Sequence, residues 1–138
     1  MKLEDQACSL ELAKRLKKLN VKQDSYFFWN HFRSWVPSDY QPAWAITDYP
    51  AEKDASMENV SAFTVAELGE IMTEAGHGVV SKVGMTACAT LVKKEWWITG
   101  GNWLPEKQKY DHLETDPKWA NALAKMLIHL IEKGIIKL

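Results

Sequence analysis

The sequence predicts a single α+β domain over residues 1–138, in which a small, mainly antiparallel sheet of about four strands in two hairpins packs against three helices. Helical and strand-like patterns alternate in the order helix, two strands, helix, two strands, helix. The last helix is apolar around most of its circumference, so we expect it to lie across one face of the sheet. The length of 138 residues suits one compact domain.

The C-terminal helix has a recognisable start and end. Asp116 can accept a hydrogen bond as an N-cap, and Pro117 follows at the first helical position. Gly134 can adopt the left-handed conformation that closes a helix. The polar residues between these ends form one narrow stripe, which consists of Lys118, Asn121, Lys125, His129 and Glu132. A surface helix buries only about a third of its circumference. This helix is therefore predicted to be the core helix, or else to meet a partner chain along one flank.

Two further helices carry signals at their ends. The first is predicted to run from Ser9, as the N-cap, to about Leu19, and Asn20 can supply a left-handed stop. The second is predicted to begin at Thr64, because Thr64 and Glu67 have the spacing of a capping box.

The first pair of strands is predicted between these two helices. Residues 25–32 are rich in aromatic side chains, which favours a strand, and they are apolar on both faces, which indicates a central one. A second strand at about residues 44–48 is expected to return beside it. Residues 49–61 are polar and are predicted to form a surface connection.

The second pair of strands is predicted at residues 87–93 and 96–99, as a hairpin with a tight turn. The Gly-Gly-Asn sequence at residues 100–102 is expected to end the second strand. Residues 105–115 are polar and are predicted to be a loop that leads to the C-terminal helix.

Composition restricts the class of protein. The formal net charge is -1, which gives no overall attraction to nucleic acid or to a membrane surface. No apolar run is long enough to span a membrane, and the N-terminal residues lack the apolar region of a signal peptide. Cys8 and Cys88 fit no metal or redox spacing. We interpret them as reduced thiols of a cytoplasmic protein.

No complete catalytic, cofactor or metal motif is present, so we predict no cofactor, no metal and no catalytic residue, and an enzyme is the less favoured interpretation. The four histidines have no HxH or HExxH spacing. His77 lies between two glycines, where backbone N–H groups could bind an anion, although a helix stop explains the same residues. His112 lies in an acidic stretch that is better explained as a polar loop and an N-cap before the last helix.

The 7 tryptophans are the compositional excess. Trp96 and Trp97 are adjacent on a predicted strand, so they must point to opposite faces and one of them must leave the core. Trp35 falls in a predicted loop. The candidate binding residues are therefore Trp35, Trp96, Trp97 and His77.

Three segments resemble a family of small uncharacterised phage- and prophage-type proteins of bacteria. Residues 61–72 read SAFTVAELGEIM, residues 122–136 read ALAKMLIHLIEKGII, and residues 9–29 read SLELAKRLKKLNVKQDSYFFW. The family often has glycine at the position of Asn20. The resemblance implies a phage-related, intracellular setting and supplies no activity or site residues.

The function that best fits these observations is a non-enzymatic protein-interaction module, with a protein partner or a homodimer as the partner. The alternative is a winged-helix-like DNA-binding regulator, because residues 64–72 and 122–136 superficially resemble its helices. A helix that reads a DNA groove needs polar and basic residues on its outer face. The C-terminal helix offers few, so nucleic acid is the weaker expectation, and no membrane partner is expected.

Overall fold

The computed structural model describes residues 2–32, 43–48, 58–75, 88–92 and 95–138. These residues form an α+β fold with four helices and two antiparallel sheets of three strands each. The helices are α1 (Leu3–Gln6), α2 (Leu10–Lys18), α3 (Val65–Glu74) and α4 (Trp119–Glu132). The strands are β1 (Phe28–Phe32), β2 (Ala43–Thr47), β3 (Asn59–Ser61), β4 (Cys88–Val92), β5 (Glu95–Leu104) and β6 (Lys109–Asp116). The predicted fold class is confirmed, but the strands form two sheets instead of one.

The first sheet has the order β2-β1-β3, so the predicted central position of β1 is correct. Its N-terminal part is shorter than predicted, because two N–H groups before Phe28 bond to side chains instead of a strand. The N–H of Tyr26 donates to Glu67 Oε1 at 2.8 Å, and that of Phe27 donates to Ser25 Oγ at 3.3 Å. The third strand, β3, lies in the stretch that was predicted to be a surface connection, and this prediction was wrong. Val60 of β3 pairs with Trp29 and is buried.

The second sheet has the order β4-β5-β6, and the predicted hairpin of β4 and β5 is confirmed. The predicted break at residues 100–102 was wrong, because β5 continues through a register shift between Gly100 and Trp103. Gly101 has a φ of +93°, which glycine adopts without strain. The Asp111 carboxylate accepts the N–H of Asn102 at 2.9 Å and holds this bulge. The predicted loop at residues 105–115 was also wrong, since most of it is strand β6.

Helix α4 begins later than predicted. Asp116 still belongs to β6, where it pairs with Trp96, and its Oδ1 accepts the N–H of Lys118 at 2.8 Å. Asp116 therefore forms a turn before the helix and is not its N-cap, and Pro117 is not helical. The end of the helix is as predicted: Gly134 has a φ of +68° and the N–H of Ile135 donates to the carbonyl of Leu130 at 2.9 Å.

The other helix ends are mostly local features of the sequence. Thr64 and Glu67 form the predicted capping box at the start of α3. Asn20 has the predicted positive φ, 63°, after α2. Ser9 stands at the N-cap of α2, but its side chain makes no capping hydrogen bond. Its backbone N–H donates to Asn121 Oδ1 of α4 at 2.8 Å.

The core forms around α4, which contacts α2, α3, β5 and β6. Its buried residues are Ala120, Ala122, Leu123, Ala124, Met126, Leu127, Ile128 and Leu130. The prediction that the C-terminal helix packs on the sheet is confirmed.

None of the helices within the described residues has the length and apolar character that a membrane crossing requires.

Candidate functional site

The two adjacent tryptophans of β5 lie on opposite faces of the second sheet. Trp96 stacks on Trp119 of α4, with ring centroids 4.5 Å apart and planes inclined by 13°. Trp97 is 40% exposed. Of the pair, Trp97 is thus the candidate for a binding surface, and Trp96 packs against the core. The other two candidates, Trp35 and His77, lie outside the described residues.

The outer face of the second sheet places a second large apolar side chain near Trp97. Trp97 pairs with Thr115, and Thr99 pairs with Leu113, so all four side chains share one face. Leu113 is 44% exposed. Diagonal neighbours on adjacent strands lie about 7–8 Å apart, which brings Trp97 and Leu113 within reach of one partner. Sequence reasoning missed Leu113, because its segment was predicted to be a loop. We call Trp97, Thr99, Leu113 and Thr115 the outer face.

The inner face of β6 carries polar residues that meet the polar stripe of α4. His112 Nε2 lies 2.7 Å from Glu114 Oε1. The His112 ring stacks on the His129 ring of α4, with centroids 3.3 Å apart and an interplanar angle of 2°. One turn earlier on α4, Lys125 Nζ bonds to Asp116 Oδ2 at 2.9 Å. Strand β6 is thus attached to α4 by polar contacts.

A groove runs along this stripe between α2 and β6. Its cavity has a volume of about 570 Å³ and its lining is largely polar. Arg15 of α2 crosses the groove and bonds to both carboxylate oxygens of Glu132, at 2.7 and 2.9 Å. A second cavity of about 360 Å³ lies on the other side of His129, and its lining residues are Asn102, Asp111, His112, His129, Lys133 and Ile135. His129 therefore borders both cavities.

The surroundings of His129 favour its neutral form. Burial is the main cause that lowers the pKa of His129 below its usual value, and His112 and Lys133 act in the same direction. Glu114 and Asp111 oppose this shift. The pKa of Asp111 is itself lowered by the hydrogen bonds from the backbone and side chain of Asn102. At neutral pH the cluster holds a neutral His129 against the His112–Glu114 pair.

This cluster does not have the geometry of a metal site. The nitrogen lone pair of a neutral imidazole lies in the plane of the ring. The lone pairs of two parallel stacked rings therefore do not converge on one point, where a metal ion could bind both. Among the described residues, no group of three or more His, Cys, Asp or Glu side chains could hold a metal ion. The Cys8 thiol offers no nucleophile, because burial raises its pKa to about 12 and keeps it protonated.

Comparison with known protein families, with curated proteins and with solved structures finds no match to this chain.

Proposed function

We propose that this protein is a non-enzymatic interaction module and that its outer face binds a second copy of the same chain. The observation that carries this proposal is the exposure of Trp97 beside Leu113, on a sheet whose opposite face is already occupied by α4. Tryptophan is enriched among the residues that dominate binding energy at protein interfaces. An apolar patch that stays exposed on a folded protein frequently marks such an interface.

The geometry of the outer face suits symmetric pairing. A two-fold axis brings the same patch of both copies together, so Trp97 of one chain can pack on Leu113 of the other. Thr99 and Thr115 lie on the same face and can be buried at low cost if their hydroxyls find hydrogen bonds. Two large apolar side chains form a small patch, and the interface is expected to bury less than about 1,200 Å² and to be weak.

The resemblance of residues 61–72 and 122–136 to phage- and prophage-type proteins supports a phage-related role for this module, in the cytoplasm. The alternative, a winged-helix-like DNA-binding regulator, is less well supported by the contacts of α4. The polar residues of this helix are engaged within the fold: Asn121 bonds to Ser9, Lys125 to Asp116, and Glu132 to Arg15. Binding to duplex DNA whose affinity falls as the salt concentration rises would favour the alternative.

The test is light scattering on the purified protein over a wide range of concentrations, with Trp97→Ser and a matched control, Tyr26→Ser. Tyr26 is an aromatic residue that is 78% exposed and precedes β1, away from the outer face. We expect the wild type and Tyr26→Ser to associate at high concentration and Trp97→Ser to remain monomeric. A wild type that is monomeric throughout, or equal behaviour of the two variants, would overturn the proposal.

A further inference from the structure

The stacked histidines join two elements that are distant in sequence. His112 belongs to β6 and His129 to α4, and their rings are in direct contact at 3.3 Å. A neutral imidazole stacks favourably on another neutral imidazole or on an imidazolium. Two imidazolium ions at this distance repel each other, and the repulsion is strong because both rings are partly shielded from water. The two rings can therefore remain stacked only while at most one of them is protonated.

The groups around the stack stabilise the first added proton and not the second. Glu114 of β6 bonds to His112 at 2.7 Å, so a proton on His112 has a carboxylate partner. Asp111 of β6 is engaged with Asn102 of β5. Lys133, which follows α4, adds a positive charge to the same cavity.

The remaining charged groups near His129 are mostly paired with one another. From α2, Arg15 bonds to Glu132 of α4, and on the β6 side Asp116 bonds to Lys125 of α4. Glu11 of α2 also lines the groove. Within the part of the chain that the structure describes, a proton on His129 would thus have no carboxylate partner of its own at hydrogen-bond distance.

We propose that the His112–His129 stack is an acid-sensitive latch between β6 and α4, closed while at most one of the two rings is protonated and opened when both are protonated. The direction of the effect follows from linkage. The pKa of His129 is lowered in the folded state, mainly by burial. Its contribution to stability is therefore fully present above its ordinary pKa of 6.5 and is lost as the pH falls through the lowered value.

Opening the latch also affects the outer face. Leu113 and Thr115 alternate with His112 and Glu114 along β6, so a strand that leaves α4 carries half of the outer face with it. Self-association through that face should then be lost in acid. This extension rests on the proposed function, whereas the latch itself does not.

The test of the latch compares chemical denaturation of the wild type, His129→Gln and a control, His31→Gln, at several pH values between 8 and 5, at concentrations too low for association. His31 lies in β1 of the other sheet. We expect the denaturation midpoint of the wild type and of His31→Gln to shift downwards on acidification. In His129→Gln, which cannot take up the second proton, the shift should be clearly smaller. Equal acid shifts in all three proteins would overturn the latch.

A second measurement uses only the wild type, so it does not require that a variant folds. NMR titration of the imidazole signals of the wild type should show His129 titrating below 6.5, with its signals also responding to the protonation of His112. Two independent titrations at ordinary values would overturn the latch. Light scattering at pH 7 and pH 5 then separates the two proposals. If the latch opens in acid but the protein associates at neither pH, the proposed function is contradicted and the latch is not.

Discussion

Glu67 joins the start of α3 to the beginning of the first sheet, and its removal should be costly. Its side chain is buried, and its Oε2 accepts the N–H and the hydroxyl of Thr64, both at 2.7 Å. Its Oε1 accepts the N–H of Tyr26 at 2.8 Å. One carboxylate thus completes the capping box and also fixes the residue that leads into β1. Glu67→Ala removes both functions at once.

The magnitude follows from these three hydrogen bonds. A hydrogen bond to a charged group contributes about 1.5–3 kcal/mol, and a buried donor that loses its partner costs about 1–3 kcal/mol. Water can reach some of the released donors, since Tyr26 is exposed. We therefore expect Glu67→Ala to lower the free energy of unfolding by about 2–4 kcal/mol. Thr64→Ala should cost less, about 0.5–2 kcal/mol. It removes the two hydrogen bonds of the Thr64 hydroxyl with Glu67, at 2.7 and 3.4 Å, but leaves the N–H groups of Thr64 and Tyr26 bonded to the Glu67 carboxylate.

The assay is equilibrium denaturation, with Glu70→Ala as the matched control. Glu70 is exposed on the same helix, and its replacement should change stability by no more than about 0.5 kcal/mol. Glu67→Gln keeps an acceptor oxygen and should fall between the other two variants. If Glu67→Ala and Glu70→Ala were equally stable, the claim that this carboxylate links α3 to the first sheet would be refuted.

Two further substitutions test the packing of α4. Leu127 is fully buried, so Leu127→Ala should lower the free energy of unfolding, measured by chemical denaturation, by about 2–5 kcal/mol. A decrease no larger than that of a substitution at an exposed position would contradict the place of Leu127 in the core. From the sequence alone, Lys125→Ala is expected to be nearly silent. The structure changes this expectation to a loss of about 1 kcal/mol, because Lys125 Nζ bonds to Asp116 at 2.9 Å and to the carbonyl of Thr115 at 3.1 Å. Wild-type stability of Lys125→Ala would show that these contacts contribute nothing.

The features that the sequence predicted correctly are mostly local. The capping box of Thr64 and Glu67 involves residues three positions apart, and the left-handed stops at Asn20 and Gly134 depend on single residues. The apolar circumference of α4 likewise identified the core helix, because burial on several sides leaves a direct pattern in one segment. These signals do not require knowledge of which segments meet.

The features that the sequence did not predict depend on contacts between distant segments. Strand β6 has no apolar alternation, because its inner face carries His112, Glu114 and Asp116 and meets the polar stripe of α4 instead of a hydrophobic surface. Strand β3 is too short to show a period. The residues of the histidine stack were both noted in the sequence, His112 in a polar loop and His129 in the stripe. Their contact could not be predicted, because it arises only when β6 pairs with β5 and is thereby placed against α4.

The central claim is that the outer face is the surface through which the protein binds a second chain. The most direct measurement is a dilution series followed by heteronuclear NMR. We expect the indole N–H of Trp97 and the methyl groups of Leu113 to shift with concentration, together with the backbone amides of Thr99 and Thr115, while the indole of Trp96 stays in place. Concentration-independent spectra, or shifts confined to another part of the molecule, would contradict the claim.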